Sequence, residues 1–223
     1  MSTGTAPALR RSFAANGSAL LIAFAVALLG LAPLGLSDSY SWVEYGTSES
    51  GAQGVEGAWI ARLGFLSFGL GVFTLAQLRA KSWGLIGALL HGLFGVSMLG
   101  VAAFSARSWD EAAPYVSSED ALHSLFAGLV GFGFIAGMVA VMVFRHYESA
   151  VAAIPEIVPL AIASVTPMLM STGIWGALQR VMFLAAAAWY VREASLHRET
   201  TQAVVPTTSN RNEGPHHEHE LHH

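Results

Sequence analysis

Six apolar runs, 17–36, 58–78, 82–104, 121–144, 151–171 and 174–191, follow one another along this chain. A helix needs about 20 such residues to cross the hydrocarbon core of a bilayer. Charged residues make up 12% of the sequence, about half the usual share in a soluble domain, and the mean hydropathy is +0.51. Lipid is therefore the expected solvent. The expected fold is all-α, a polytopic bundle of six transmembrane helices over 17–192. A cytoplasmic N-terminal segment (1–16) precedes it, and a disordered, His-rich cytoplasmic tail (193–223) follows. The "LRRSF" before the first run is similar to a twin-arginine export signal, but that run is too long for a signal peptide, so a retained first helix is expected.

Composition excludes several chemistries. There is no cysteine, hence no disulfide, thiolate metal site or cysteine nucleophile. A net charge of −4 argues against nucleic acid, which needs a basic surface.

Orientation follows from the rule that Lys and Arg accumulate on the cytoplasmic side. With the N-terminus inside, Arg10, Arg11, Arg79, Lys81, Arg145, Arg192, Arg198 and Arg211 are cytoplasmic. Arg62, Arg107 and Arg180 are outside, so the 11 cations divide 8 to 3. The tryptophans fit the same boundaries, Trp42, Trp59, Trp109 and Trp175 at outer ends and Trp83 and Trp189 at inner ends. The outer loops become acidic: Asp38, Glu44, Glu49 and Glu56 in the first, Asp110, Glu111, Glu119 and Asp120 in the second. A cell-membrane protein with both termini in the cytoplasm is expected.

Small residues, which let backbones approach, drive helix association in lipid. Gly84, Ala88 and Gly92 form one stripe of the third run, with Gly87, His91 and Gly95 beside it. In the fourth run, Glu119, His123, Ala127 and Gly131 recur every four residues, and Gly133 and Gly137 form a second pair. These two runs are the expected packed centre, with both histidines turned inward. Pro155, Pro159 and Pro167 predict a kinked or broken fifth run.

Four motifs occur in order: "YSWVEYGTSE" after the first run, "RLGFLSFGLGVF" in the second, "EDALHSLFAG" at the fourth and "GALQRVMFLAAAAWY" at the sixth. Their order and spacing resemble the domain of unknown function 998 family (DUF998) of prokaryotic integral membrane proteins, over roughly 18–192. The resemblance implies a multi-spanning helical bundle and little chemistry. The polar residues matching it are Tyr40, Ser41, Ser48, Glu49, Asp120, His123 and Arg180. The chain departs from the family after the third run, where relatives carry a Phe-Pro-x-Asp turn and this chain has "FSARSWDEAAPY".

Candidate sites cluster at the outer ends. Arg62 and Arg180 lie about one turn inside their runs and should pair with the acidic loops or hold a lipid or substrate anion. Asp120 and Glu119 precede His123 by three and four residues, so either carboxylate can orient the imidazole. His123 and Asp120, with Glu49 or Asp110, are thus the candidates for catalysis or for a metal. His91 lies near mid-bilayer, as a ligand-binding or proton-carrying residue or as a neutral bridge between helices. The 1.5 Å rise per residue separates the two histidines in depth by roughly 12–15 Å, too far to share a metal. Glu156 can pair with Arg145 or Lys81. Five of the nine histidines lie in the "PHHEHELHH" tail, as a weak divalent-metal binder or a plain solvated tail.

Three functions compete. The first is a non-enzymatic protein binding a lipid or envelope partner at its acidic outer face, with membrane lipids, an envelope protein or a second copy as partners. The second is an intramembrane, metal-dependent hydrolase using His123 and Asp120. The third is a small proton-coupled transporter using His91 and Glu156. The first is favoured, with no cofactor expected.

Overall fold

The structure, a computed structural model, describes residues 5–146 and 153–203. The described residues are helical apart from loops and turns. α1 spans Thr5–Leu31, α2 Trp59–Ala103, α3 Ser117–His146, α4 Ile154–Val165 and α5 Trp175–Ala203. Short 3-10 turns follow α1 (Ala32–Gly35), lie in the first loop (Glu49–Gly51) and follow α4 (Thr166–Leu169). By length and composition, Arg10–Gly35, Trp59–Ala103 and Ser117–Arg145 can cross a membrane, and Ile154–Leu169 is a shorter apolar helix.

The second and third apolar runs belong to one segment. At 1.5 Å per residue, the 45 residues of α2 would reach about 67 Å, twice the hydrocarbon core. The segment instead breaks at Gly84, where φ 70° and ψ 163° leave helical space. That φ is open to glycine and strained for other residues. A side chain there would also meet the Phe144 ring, 2.9 Å from an added Cβ. The two arms of α2 then lie against each other. A Cβ on Gly69 would sit 2.7 Å from the Gly95 carbonyl, and one on Gly95 would sit 2.8 Å from the Phe73 nitrogen. Sequence assigned the reversal to the charged "RAK" at 79–81 and gave Gly84 to a packing stripe. The helix in fact runs through those good helix formers and turns at the first residue able to take a positive φ.

Neighbours along the chain close a ring: α1 packs on α2, α2 on α3, α3 on α4, α4 on α5, and α5 back on α1. Gly64 and Gly71 of the first arm receive Leu29 and Ile22 of α1, and Gly133 and Gly137 of α3 receive Phe94 and His91 of the second arm. Of the expected small-residue stripes, Gly87–His91–Gly95 and Gly133–Gly137 are packed. Gly92, Gly128 and Gly131 face open space. The interior is aromatic, with Phe65, Phe68, Phe94, Phe134, Trp83, Trp189 and Tyr190 buried.

The fifth run is short, as its prolines require. Pro155 starts α4, Pro159 lies inside it, and the α-helix ends at Val165, two residues before Pro167. α5 runs on to Ala203, past the sequence-based boundary at 193. The five histidines of the "PHHEHELHH" stretch lie outside the described residues.

Candidate functional site

The end of the bundle that carries the loops after α1 and α2 is labelled outer and the opposite end inner, by position in the fold alone. Three places bear on function: a cap at the outer end, an apolar cavity beneath it and a buried charge cluster at the inner end. The cap is the loop after α1 seated on the start of α5. Arg180 Nη1 donates to the carbonyls of Trp42 (2.8 Å), Tyr45 (3.2 Å) and Gly176 (2.9 Å), and Nη2 donates to the Tyr40 hydroxyl (2.7 Å). Tyr40 passes its own proton to the Gly46 carbonyl at 2.9 Å. The Thr47 amide donates to Gln179 Oε1, and the Ala177 amide to the Val43 carbonyl at 3.1 Å. Gly176 has no side chain because the Tyr45 carbonyl lies where one would be. Arg62 caps the far end of the loop, through Nε to the Gly51 carbonyl and Nη2 to the Ala52 carbonyl, both 3.0 Å.

The expected pairing of Arg62 and Arg180 with acidic side chains is not what forms. Among the described residues Arg62 donates to backbone carbonyls, and Arg180 to backbone carbonyls and the Tyr40 hydroxyl. An irregular loop has many such carbonyls without helical partners, and a guanidinium has five donors to offer them. The carboxylates do the complementary work. Glu49 accepts the Gly46 amide at 2.6 Å, Glu119 the Ser105 amide at 2.9 Å and Asp120 the Arg107 amide at 2.8 Å. Partial burial pushes the Glu49 carboxyl above its ordinary value, against the Gly46 hydrogen bond and the pull of Arg107 and Arg180. Burial likewise raises the Tyr40 phenol despite Arg180. Gln53 joins the two outer loops, giving Nε2 to the Ser105 and Val116 carbonyls and accepting the Val116 amide at 2.7 Å.

His123 is 5% exposed and bonds through Nδ1 to the Phe104 carbonyl at 2.8 Å. A carbonyl only accepts, so Nδ1 carries a proton, and Nε2 is without a partner among the described residues. Neither Asp120 nor Glu119 orients the ring; all three hold the loop after α2. Among the described residues no three His, Asp or Glu side chains are grouped to hold a metal ion.

His91 is fully buried, with Nδ1 2.8 Å from the Tyr190 hydroxyl. Its ring packs on Gly137 of α3 and lies among Trp83, Trp189 and Phe134. It joins the second arm of α2 to α3 and α5. Both histidines face inward, as their small-residue surroundings predicted.

Beneath the cap is a cavity of about 410 Å³. Phe65, Phe94, Met98, Phe134, Met182 and Phe183 supply much of its wall, and Ser48 and Gln179 stand at its outer end. It exists because α4 is short and because Gly128 and Gly131 put no side chain into the space.

The cluster at the other end centres on Glu193, which sequence reading missed. Glu193 is fully buried and accepts from Arg79 (3.0 and 2.7 Å), Arg145 (2.9 and 2.8 Å) and the Trp83 indole (2.8 Å). Arg145 also reaches Glu156 at 3.4 Å, the expected pair. Its Nε caps the Ser82 carbonyl at 2.7 Å, one of the groups freed by the break at Gly84. Arg192 lies 3.3 Å from Glu193 and 3.9 Å from Glu156. The available signal was the excess of inner-end cations over Glu156, the only acid weighed as their partner. Glu193 escaped notice because the sixth run was ended at 191, where hydropathy falls.

No curated protein and no solved structure matches the chain. The family described as "Protein of unknown function (DUF998)" matches residues 21–194, and those residues include the cap, the cavity wall and the Glu193 cluster. The chain belongs to the DUF998 family.

Proposed function

We propose that this is a six-span membrane protein, with both termini cytoplasmic, that holds a lipid acyl chain in the cavity beneath its outer cap. In this reading α1, the two arms of α2, α3, α4 with its 3-10 extension, and α5 are the six crossings. Arg79, Lys81, Arg145 and Arg192 then lie on the inner side and Arg62, Arg107 and Arg180 on the outer.

The observation that carries the reading is the cavity. Its ~410 Å³ is in the range of pockets that take small molecules. Its walls are apolar, and its polar groups are confined to the end near the loops. That polarity gradient suits a lipid, with the tail among the phenylalanines and the head toward Ser48 and Gln179. Arg180 and Arg62 serve binding by keeping the cap in place over the cavity. His91 serves it by fixing α3 one turn below Phe94.

The test fills the cavity. Gly131 lines the cavity and has open space where a side chain would begin, so Gly131→Leu is chosen to fill it, and it improves helix propensity by about 1 kcal/mol. Mass spectrometry of the purified protein should find one bound lipid fewer per protein in Gly131→Leu than in the parent, with thermal stability kept or raised. Equal lipid in both proteins would refute the reading.

A further inference from the structure

A second apolar recess lies at the opposite end of the bundle, on its outside. A groove of about 340 Å³ runs between α4 and α5 and is lined by Ile154, Val158, Pro159, Ala185 and Ala188. It ends at Trp189 and Arg192.

Three observations at that end point to an anion. Among the described residues, the three guanidinium groups of Arg79, Arg145 and Arg192 meet the two carboxylates of Glu156 and Glu193. Arg79 and Arg145 are 9% and 14% exposed, whereas Arg192 is 45% exposed, so of these three Arg192 is the one a ligand can reach. Trp189, 3% exposed, has an Nε1 donor without an acceptor among the described residues. A buried donor left unpaired is costly, and Trp189 is one of the residues that line the groove.

We infer that the Arg192–Trp189 end of the α4–α5 groove binds the phosphate of an anionic phospholipid, whose tail lies along the groove. The apolar wall commits the site to a lipid, since a free phosphate gains nothing from Val158 or Ala185. Basic pockets of this kind between membrane helices recognise anionic headgroups. The inference goes beyond the cavity reading and takes from it only the assignment to the cytoplasmic leaflet.

The test uses the full chain in nanodiscs of mixed phosphatidylglycerol and phosphatidylcholine, with bound lipid read by native mass spectrometry. The parent should retain phosphatidylglycerol in preference to phosphatidylcholine, and Arg192→Gln should reduce that preference roughly five- to tenfold. Arg192→Lys should keep most of it, and Trp189→Phe should lower it severalfold while the packing of the ring is preserved. Gly131→Leu, which closes the outer cavity, should leave the preference unchanged, so the two sites fail separately. Millimolar inorganic phosphate should not displace the lipid. An unchanged preference in a folded Arg192→Gln protein, no preference in the parent, or displacement by phosphate would each overturn the inference.

Discussion

The two ends of this bundle use ionised side chains in opposite ways. At the outer end charge meets backbone: Arg180 and Arg62 hold carbonyls, and Glu49, Glu119 and Asp120 hold amides. At the inner end charge meets charge, with Glu193 between Arg79 and Arg145. The difference follows from what each end must satisfy. The outer loops are irregular and present many unpaired peptide groups, each costly to leave unmet. The described inner end is mostly continuous helix with few such groups, so its guanidinium groups turn to carboxylates and to the single break at Ser82–Gly84.

The comparison predicts an order of damage. Glu193→Ala should do the most, because it strands two buried guanidinium groups. The expected cost is about 3–5 kcal/mol, read as a fall in the unfolding midpoint in detergent. A loss under about 1 kcal/mol would mean that water reaches the cluster and that its apparent burial carries little energy.

Arg180→Ala should come second. It removes four hydrogen bonds from a charged donor, but the carbonyls it frees lie close to solvent and can be rehydrated. About 2–3 kcal/mol is expected, with hydrogen exchange rising at 40–50 and not in α3. Arg180→Lys should recover only part of this, since an ammonium cannot span acceptors on Tyr40, Trp42 and Gly176 as a planar fork does. Equal exchange throughout the molecule would show that the cap and the bundle melt as one unit.

The smallest effect should be that of pH on the cap. Burial raises the Glu49 carboxyl above its unfolded value, so the native cap binds a proton more readily than the unfolded loop. Its stability should therefore fall as pH rises from the ordinary carboxylate range through the raised value. Glu49→Gln keeps an acceptor for the Gly46 amide and should flatten that slope. A cap that loosens on acidification in the parent would reverse the sign and overturn the assignment to Glu49.

The helical class, the apolar runs, the inward histidines and the Glu156–Arg145 pair were legible in sequence because hydropathy, small-residue spacing and charge sign carry them directly. Three features were not. The reversal at Gly84 depends on which of several glycines takes a positive φ, and composition does not distinguish Gly84 from Gly87. The carbonyl-holding role of Arg62 and Arg180 depends on loop carbonyls, which every residue has and no sequence pattern marks. The open face at Gly128 and Gly131 depends on the shortness of α4. A stripe of glycines looks the same whether a helix fills it or a cavity does.

The turn at Gly84 has a further consequence, one of phase. Most connections between helices are loops that absorb a gained or lost residue with little effect. This one spends a single residue, and helix continues on both sides. Adding or removing one residue between Gly84 and His91 would rotate the remainder of the second arm by about 100°. His91 would leave Tyr190 and Gly137, and Gly95 would leave Gly69. This stretch is therefore a clock setting for the molecule, closed to changes in length.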